Sequence, residues 1–126
     1  MIILLVDDDP EDRELFLEVL NGIDPSVRCL TAENGEEALK LLSVDLTILP
    51  DLIIMDINMP FMNGIKCLAR IRQFGKLQTI PVIMYSTTIR DEDRKEIERH
   101  DAGCIVKPSG YQVLKKVLAD IVKEYE

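Results

Sequence analysis

The sequence holds one histidine, no tryptophan and three cysteines, and aromatic residues make up only 5% of its 126 positions. A lone histidine, His100, excludes a His-rich metal centre and a Cys/His pair of the usual kind. Its place late in a charged segment suits a solvated residue at a helix end. Cys29, Cys67 and Cys104 are odd in number, far apart and without a CxxC pair. They read as reduced cytoplasmic thiols packed as small hydrophobes. Glycine is missing where phosphate loops need it: the first is Gly22, so no GxGxxG follows the first strand, and Gly75–Lys76 runs into Leu77, not Ser or Thr. The apolar start, Ile2–Val6, is too short and lacks the basic flank of a signal peptide or a membrane span. Basic residues are also in deficit, 15 Lys+Arg against 23 Asp+Glu for a net charge of −8, which opposes direct binding to nucleic acid or anionic membrane.

What is present is globular: 47% hydrophobic and 30% charged residues. The length suits one domain over residues 1–126, able to bury about two-thirds of its unfolded surface. No repeat or linker appears, and helical patterning runs to Tyr125, so no output domain is expected. Ile2–Val6, Leu52–Met55, Val82–Tyr85 and Cys104–Val106 are short continuous apolar runs, as expected of parallel strands buried on both faces. Val27–Ala32 is more polar and suits an edge. Helical spacing follows each run, marked by Leu15, Phe16, Val19 and Leu20; by Ala38, Leu39, Leu41 and Leu42; by Ile65, Leu68 and Ile71; and by Val113, Leu114, Val117, Leu118, Ile121 and Val122. Asp9–Pro10 reads as an N-cap followed by proline at the first helical position, and Asn34 with Glu37 resembles a capping box. The segment from Arg90 to His100 has little but Ile97 to bury. It depends on pairs such as Asp91–Lys95 and Arg94–Glu98, each worth a few tenths of a kcal/mol, and should be the loosest helix. Met55, Met59, Met62 and Met84 suit core or loop filling.

Five βα units predict a doubly wound α/β domain with a five-stranded parallel sheet, whose ligands bind beyond the carboxyl ends of the strands. Those ends carry Asp7 and Asp8, Asp56, Ser86 and Lys107. Clustered carboxylates repel: two unit charges ~4 Å apart interact by about 4 kcal/mol at an effective dielectric near 20. A hard divalent cation relieves this, and oxygen-only ligands select Mg²⁺ over Zn²⁺. Lys107 offers a point charge and Ser86 a hydroxyl to a phosphoryl group, and a carboxylate in such a place can form an aspartyl phosphate.

In these residues the chain resembles the response-regulator receiver domains of two-component signalling. The resemblance rests on Ile3-Leu4-Leu5-Val6-Asp7-Asp8, on Asp56-Ile57-Asn58-Met59-Pro60 with Gly64, on Pro81-Val82-Ile83-Met84-Tyr85-Ser86, and on Lys107-Pro108. It implies a flavodoxin-like sheet in the order 2-1-3-4-5. It implies that Asp56 accepts phosphate from a histidine kinase. It makes Asp8, Asp56 and the Asn58 backbone carbonyl direct ligands of Mg²⁺, Asp7 a ligand largely through water, and Ser86 and Lys107 the holders of the phosphoryl oxygens. Asn58 and Thr88 would tune the phosphate's lifetime, and Lys107–Pro108 would be a cis bond.

Two departures stand out. Relatives usually carry Tyr or Phe where this chain has Cys104, and often Ala where it has Thr87. The expected function is a stand-alone cytoplasmic receiver, not an enzyme acting on metabolites, that signals through a downstream protein or a phosphotransfer protein. A small Mg²⁺-dependent aspartyl-phosphate phosphohydrolase is the rival; it would want Asp, not Asn58, as general acid. A phosphate-independent interaction module on the same fold is a third reading.

Overall fold

A computed structural model describes residues 1–44 and 49–126. Its elements run β1 (Ile2–Val6), α1 (Pro10–Ile23), β2 (Arg28–Ala32), α2 (Gly35–Val44), β3 (Leu52–Met55), α3 (Gly64–Ile71), a 3-10 turn at Gly75–Leu77, β4 (Val82–Ser86), α4 (Asp91–Arg99), β5 (Gly103–Val106) and α5 (Tyr111–Tyr125). The strands form one parallel sheet in the order β2-β1-β3-β4-β5.

Period-two alternation along each strand divides the core into two layers. Leu4, Val6, Ile53, Met55, Val82 and Met84 point to the face covered by α2, α3 and α4, where Ala38, Leu42, Cys67, Leu68, Ile71 and Ile97 meet them. Ile3, Leu5, Leu52, Ile54, Ile83 and Tyr85 point the other way, onto Phe16, Val19 and Leu20 of α1 and Leu114, Leu118, Ile121 and Val122 of α5. This two-sided burial explains the unbroken apolar runs of β1, β3 and β4. The four methionines lie in the first layer as filling.

The Asp9 cap is as the sequence suggests, and the described hydrogen bonds include one half of the Asn34–Glu37 capping box. Asp9 accepts from the N–H groups of Glu11 and Asp12 at 2.9 and 3.3 Å, and Asn34 accepts from the Glu37 N–H at 2.9 Å. His100 caps the C-terminus of α4.

Several expectations need correction. β5 is the second edge of the sheet and is not buried on both faces; Val106 at its end is 50% exposed because one side has no strand neighbour. Leu15, Leu41 and Val113, read as core-facing, stand exposed beside buried neighbours, since adjacent helical residues point about 100° apart. Cys67 is buried, but Cys29 and Cys104 are only half-buried.

α4 is held differently from the expected pattern. Neither Asp91–Lys95 nor Arg94–Glu98 is among the ion pairs of the described residues. Instead Arg90 pairs with Glu92 and Asp93, Arg99 pairs with Glu96, and the Arg94 guanidinium turns to the Cys104 thiol at 3.3 Å. Arg72, at the end of α3, donates to the carbonyls of His100, Asp101 and Ile80 at 2.7, 3.3 and 2.8 Å. One guanidinium therefore ties the C-terminal end of α4 to the β4 entry. The N-terminal end of α4 is held by Asp93, whose Oδ2 accepts from the Arg90 N–H at 3.0 Å.

Candidate functional site

Asp7, Asp56 and Lys107 are each fixed by one further rung of the parallel ladder. The Asp7 N–H donates to the Ala32 carbonyl at 3.0 Å, the Asp56 N–H to the Val6 carbonyl at 2.9 Å, and the Lys107 N–H to the Ser86 carbonyl at 2.9 Å. Backbones this constrained deliver four strand ends to one rim of the sheet. Behind Asp56 the chain turns tightly, with the Gly64 N–H on the Ile57 carbonyl at 2.7 Å. A Cβ at Gly64 would collide with the Asp56 carbonyl oxygen, so the start of α3 lies directly against the backbone of Asp56. The Ile57 N–H donates to Asp56 Oδ1 at 2.7 Å and orients the carboxylate.

Asp7, Asp8 and Asp56 bring one carboxylate oxygen each to within 4.8 Å of one another. Asp7 is 1% exposed and Asp56 8%, while Asp8 opens to solvent. The Lys107 ammonium, its side chain also 8% exposed, donates to Asp7 Oδ2 at 2.7 Å, Asp12 Oδ2 at 2.9 Å and Asp56 Oδ2 at 3.0 Å. It also lies 5.6 Å from the centre of the Tyr85 ring.

Burial pushes the Asp7 carboxyl above its ordinary value, more than the hydrogen bonds from Lys107 and the Asp9 N–H draw it down. Burial alone would depress Lys107, yet its bonds to Asp7, Asp12 and Asp56 outweigh that and hold it above the usual lysine value. The two shifts thus have different causes, burial for Asp7 and carboxylate partners for Lys107, and one ammonium among four carboxylates leaves the cluster short of positive charge. Such a site attracts cations. Three convergent carboxylate oxygens, with no sulfur or imidazole among them, suit Mg²⁺ or a similar hard ion.

Ser86 ends β4 with its hydroxyl oxygen buried and without a hydrogen-bond partner. Buried hydroxyls are seldom left so, and an unpaired one costs about 1–3 kcal/mol. Asn58, Thr87 and Thr88 stand exposed on the two loops flanking the rim. The Lys107–Pro108 bond is trans, not cis, in keeping with the ordinary preference even before proline.

Asp12 is the residue that strand-end reasoning passed over. It is an acid of the first turn of α1, and α1 starts so close to β1 that this turn reaches Lys107. Its local sequence sets it apart in no way from an ordinary acid of a first helical turn.

Residues 3–119 match the response regulator receiver domain family. The sensor histidine kinase RcsC of Salmonella typhimurium is 36% identical over 120 residues, which take in 94% of this chain but 12% of that protein. The chain thus spans a small part of that relative. Among solved structures, the phosphorylated cyanobacterial phytochrome response regulator RcpA superposes with a TM-score of 0.88 at 27% identity, covering 98% of this chain and 92% of the other. The Mn²⁺-bound form of response regulator Rcp1 gives 0.83 at 27% identity, with 95% and 90% covered. Among the described residues no helix is long and apolar enough to cross a membrane.

Proposed function

The chain belongs to the response regulator receiver family, and from that premise we propose that Asp56 takes a phosphoryl group from the phosphohistidine of a histidine kinase. The observation that carries this reading is the Ser86 hydroxyl, buried and unpartnered at the end of the strand beside Asp56. A phosphoryl oxygen would supply the partner it lacks. Lys107, already on Asp56 Oδ2, can donate to a second oxygen of the same group.

In the transfer, an Asp56 carboxylate oxygen forms the new bond to phosphorus as the bond to the donor imidazole nitrogen breaks. The imidazole leaves with that electron pair. Lys107 and Ser86 stabilise the negative charge gathering on the transferred oxygens. Asp7, Asp8 and Asp56, with the Asn58 backbone carbonyl, would hold Mg²⁺, which when bound offsets the carboxylate repulsion and the charge of the incoming group.

Phosphorylation takes Asp56 from −1 towards −2 and adds acceptor oxygens, so the β4–α4 loop that carries Thr87 and Thr88 has reason to rearrange. Its output is an altered set of contacts with a downstream protein, or onward transfer to a phosphotransfer protein, in the cytoplasm. No metabolite is turned over. Incubation with a phosphorylated histidine kinase or a small acyl phosphate tests this. Mg²⁺-dependent incorporation of one phosphoryl group, lost in Asp56→Asn, is expected; incorporation that survives either chelation or that substitution would overturn it.

A further inference from the structure

An ammonium has three N–H donors and no acceptor. Lys107 spends all three on carboxylates from three elements: Asp7 after β1, Asp12 in the first turn of α1, and Asp56 after β3. Asp7 and Asp56 belong to the tight carboxylate cluster, and Asp12 does not. Asp12 is also the most open of the three, its side chain 40% exposed against 1% and 10% for the other two. Its carboxylate is therefore the partner of Lys107 that is neither a phosphoacceptor nor part of a cation site.

Asp12 is nonetheless held firmly. Its N–H is capped by Asp9, and α1 is anchored by Phe16, Val19 and Leu20 in the layer it shares with α5. A fixed carboxylate facing the one lysine that must turn to a phosphoryl group competes with that group.

We propose that Asp12 is a positioning residue, acting as a displaceable counter-ion. It holds Lys107 while Asp56 is unmodified and yields it when a phosphoryl group arrives. This rests on the phosphoacceptor reading of Asp56. It adds that the Asp12–Lys107 bond sets how readily the phosphorylated state forms, and that its loss carries the change from β5 to α1. A chain with Cys104 in place of the usual aromatic then has a moving part at Lys107 itself.

The test compares two ligands of opposite charge on Asp12→Asn, which keeps the shape and removes the charge. Binding of Mg²⁺ alone, and of beryllofluoride in saturating Mg²⁺, is followed by calorimetry. Beryllofluoride stands in for the phosphoryl group. The variant should bind beryllofluoride roughly two- to fivefold more tightly, the size of a half-exposed ion pair, while binding Mg²⁺ no more tightly than wild type. Glu11→Gln removes an equal charge from the same turn, and it should leave both affinities at the wild-type value.

If Asp12 merely supports the start of α1, its loss weakens both ligands together, and the proposal is wrong. Unchanged beryllofluoride affinity, or the same gain in Glu11→Gln, overturns it as well. A wild-type chain that binds Mg²⁺ but no beryllofluoride is a different failure: it removes the phosphoacceptor reading and this proposal with it.

Discussion

Gly64 and Asp56 are packed backbone to backbone: the place where a side chain would begin at Gly64 is taken by the carbonyl oxygen of Asp56. The start of α3 thereby acts as the rear wall of the site, and glycine is required there for close approach. Gly64→Ala must push α3 away or displace Asp56. It should lower stability by about 1–3 kcal/mol, the usual cost of overpacking a filled core. Denaturant titration measures this, and a loss below about 0.5 kcal/mol would show that the wall gives way freely.

Ser86 should show the reverse trade between stability and function. Its unpartnered hydroxyl costs the resting fold. Ser86→Ala is therefore expected to melt at the wild-type temperature or higher, with a gain of up to about 1–2 kcal/mol. The same variant should bind beryllofluoride more weakly, because one donor to the phosphoryl oxygens is gone. A variant that loses stability yet binds as well as wild type would mark the hydroxyl as a structural group only.

Asp8 separates the cation from the fold. It is exposed and outside the described hydrogen bonds that hold the rim, and its charge adds to the carboxylate repulsion, so Asp8→Asn should be as stable as wild type or more so when chelator is present. Wild type should then gain stability as Mg²⁺ is added, about 2.7 kcal/mol at one hundred times its Kd. Asp8→Asn should lose most of that gain. Thermal melts over a Mg²⁺ series read both arms, and an equal gain in the two proteins would place the ion elsewhere.

The anchoring of α4 limits where a phosphoryl signal travels. Arg72 ties down its C-terminal end, while its N-terminal half follows the exposed Thr87–Thr88 loop. Hydrogen exchange with Mg²⁺ and beryllofluoride should change protection mainly over residues 86–95. The end of α4 and the strand around Cys104 should change little. Changes centred on residues 102–112 would mean that β5 and its loop have taken the role of the missing aromatic.

Much of this was legible because parallel strands expose their function at one end. Asp7, Asp56, Ser86 and Lys107 each follow an apolar run, and a doubly wound sheet brings such ends together wherever they lie in the chain. The more polar β2 announced its edge position. What stayed hidden depends on distance and orientation, not on pattern. Asp12 and Lys107 are far apart in sequence, and nothing local distinguishes a carboxylate that caps a helix from one that also reaches a lysine. Arg94 had a helical partner at the right spacing in Glu98 but turns to Cys104 across the gap to β5. Nothing around Arg72 in the sequence marks it out, and only the fold brings it to the carbonyls of His100 and Asp101. Val106 kept an apolar side chain on an edge that no pattern of three or four residues can reveal.

The most direct test of the central claim is to map the modified atom. An acyl phosphate is reduced by borohydride to an alcohol, so an aspartyl phosphate becomes homoserine and its position is read by peptide mass spectrometry. After exposure to a phosphodonor with Mg²⁺, the peptide spanning residues 52–66 should carry homoserine at position 56, and Asp56→Asn should carry none anywhere. Homoserine at Asp7, Asp8 or Asp12, or a phosphate that resists borohydride because it sits on Ser86, would contradict the account.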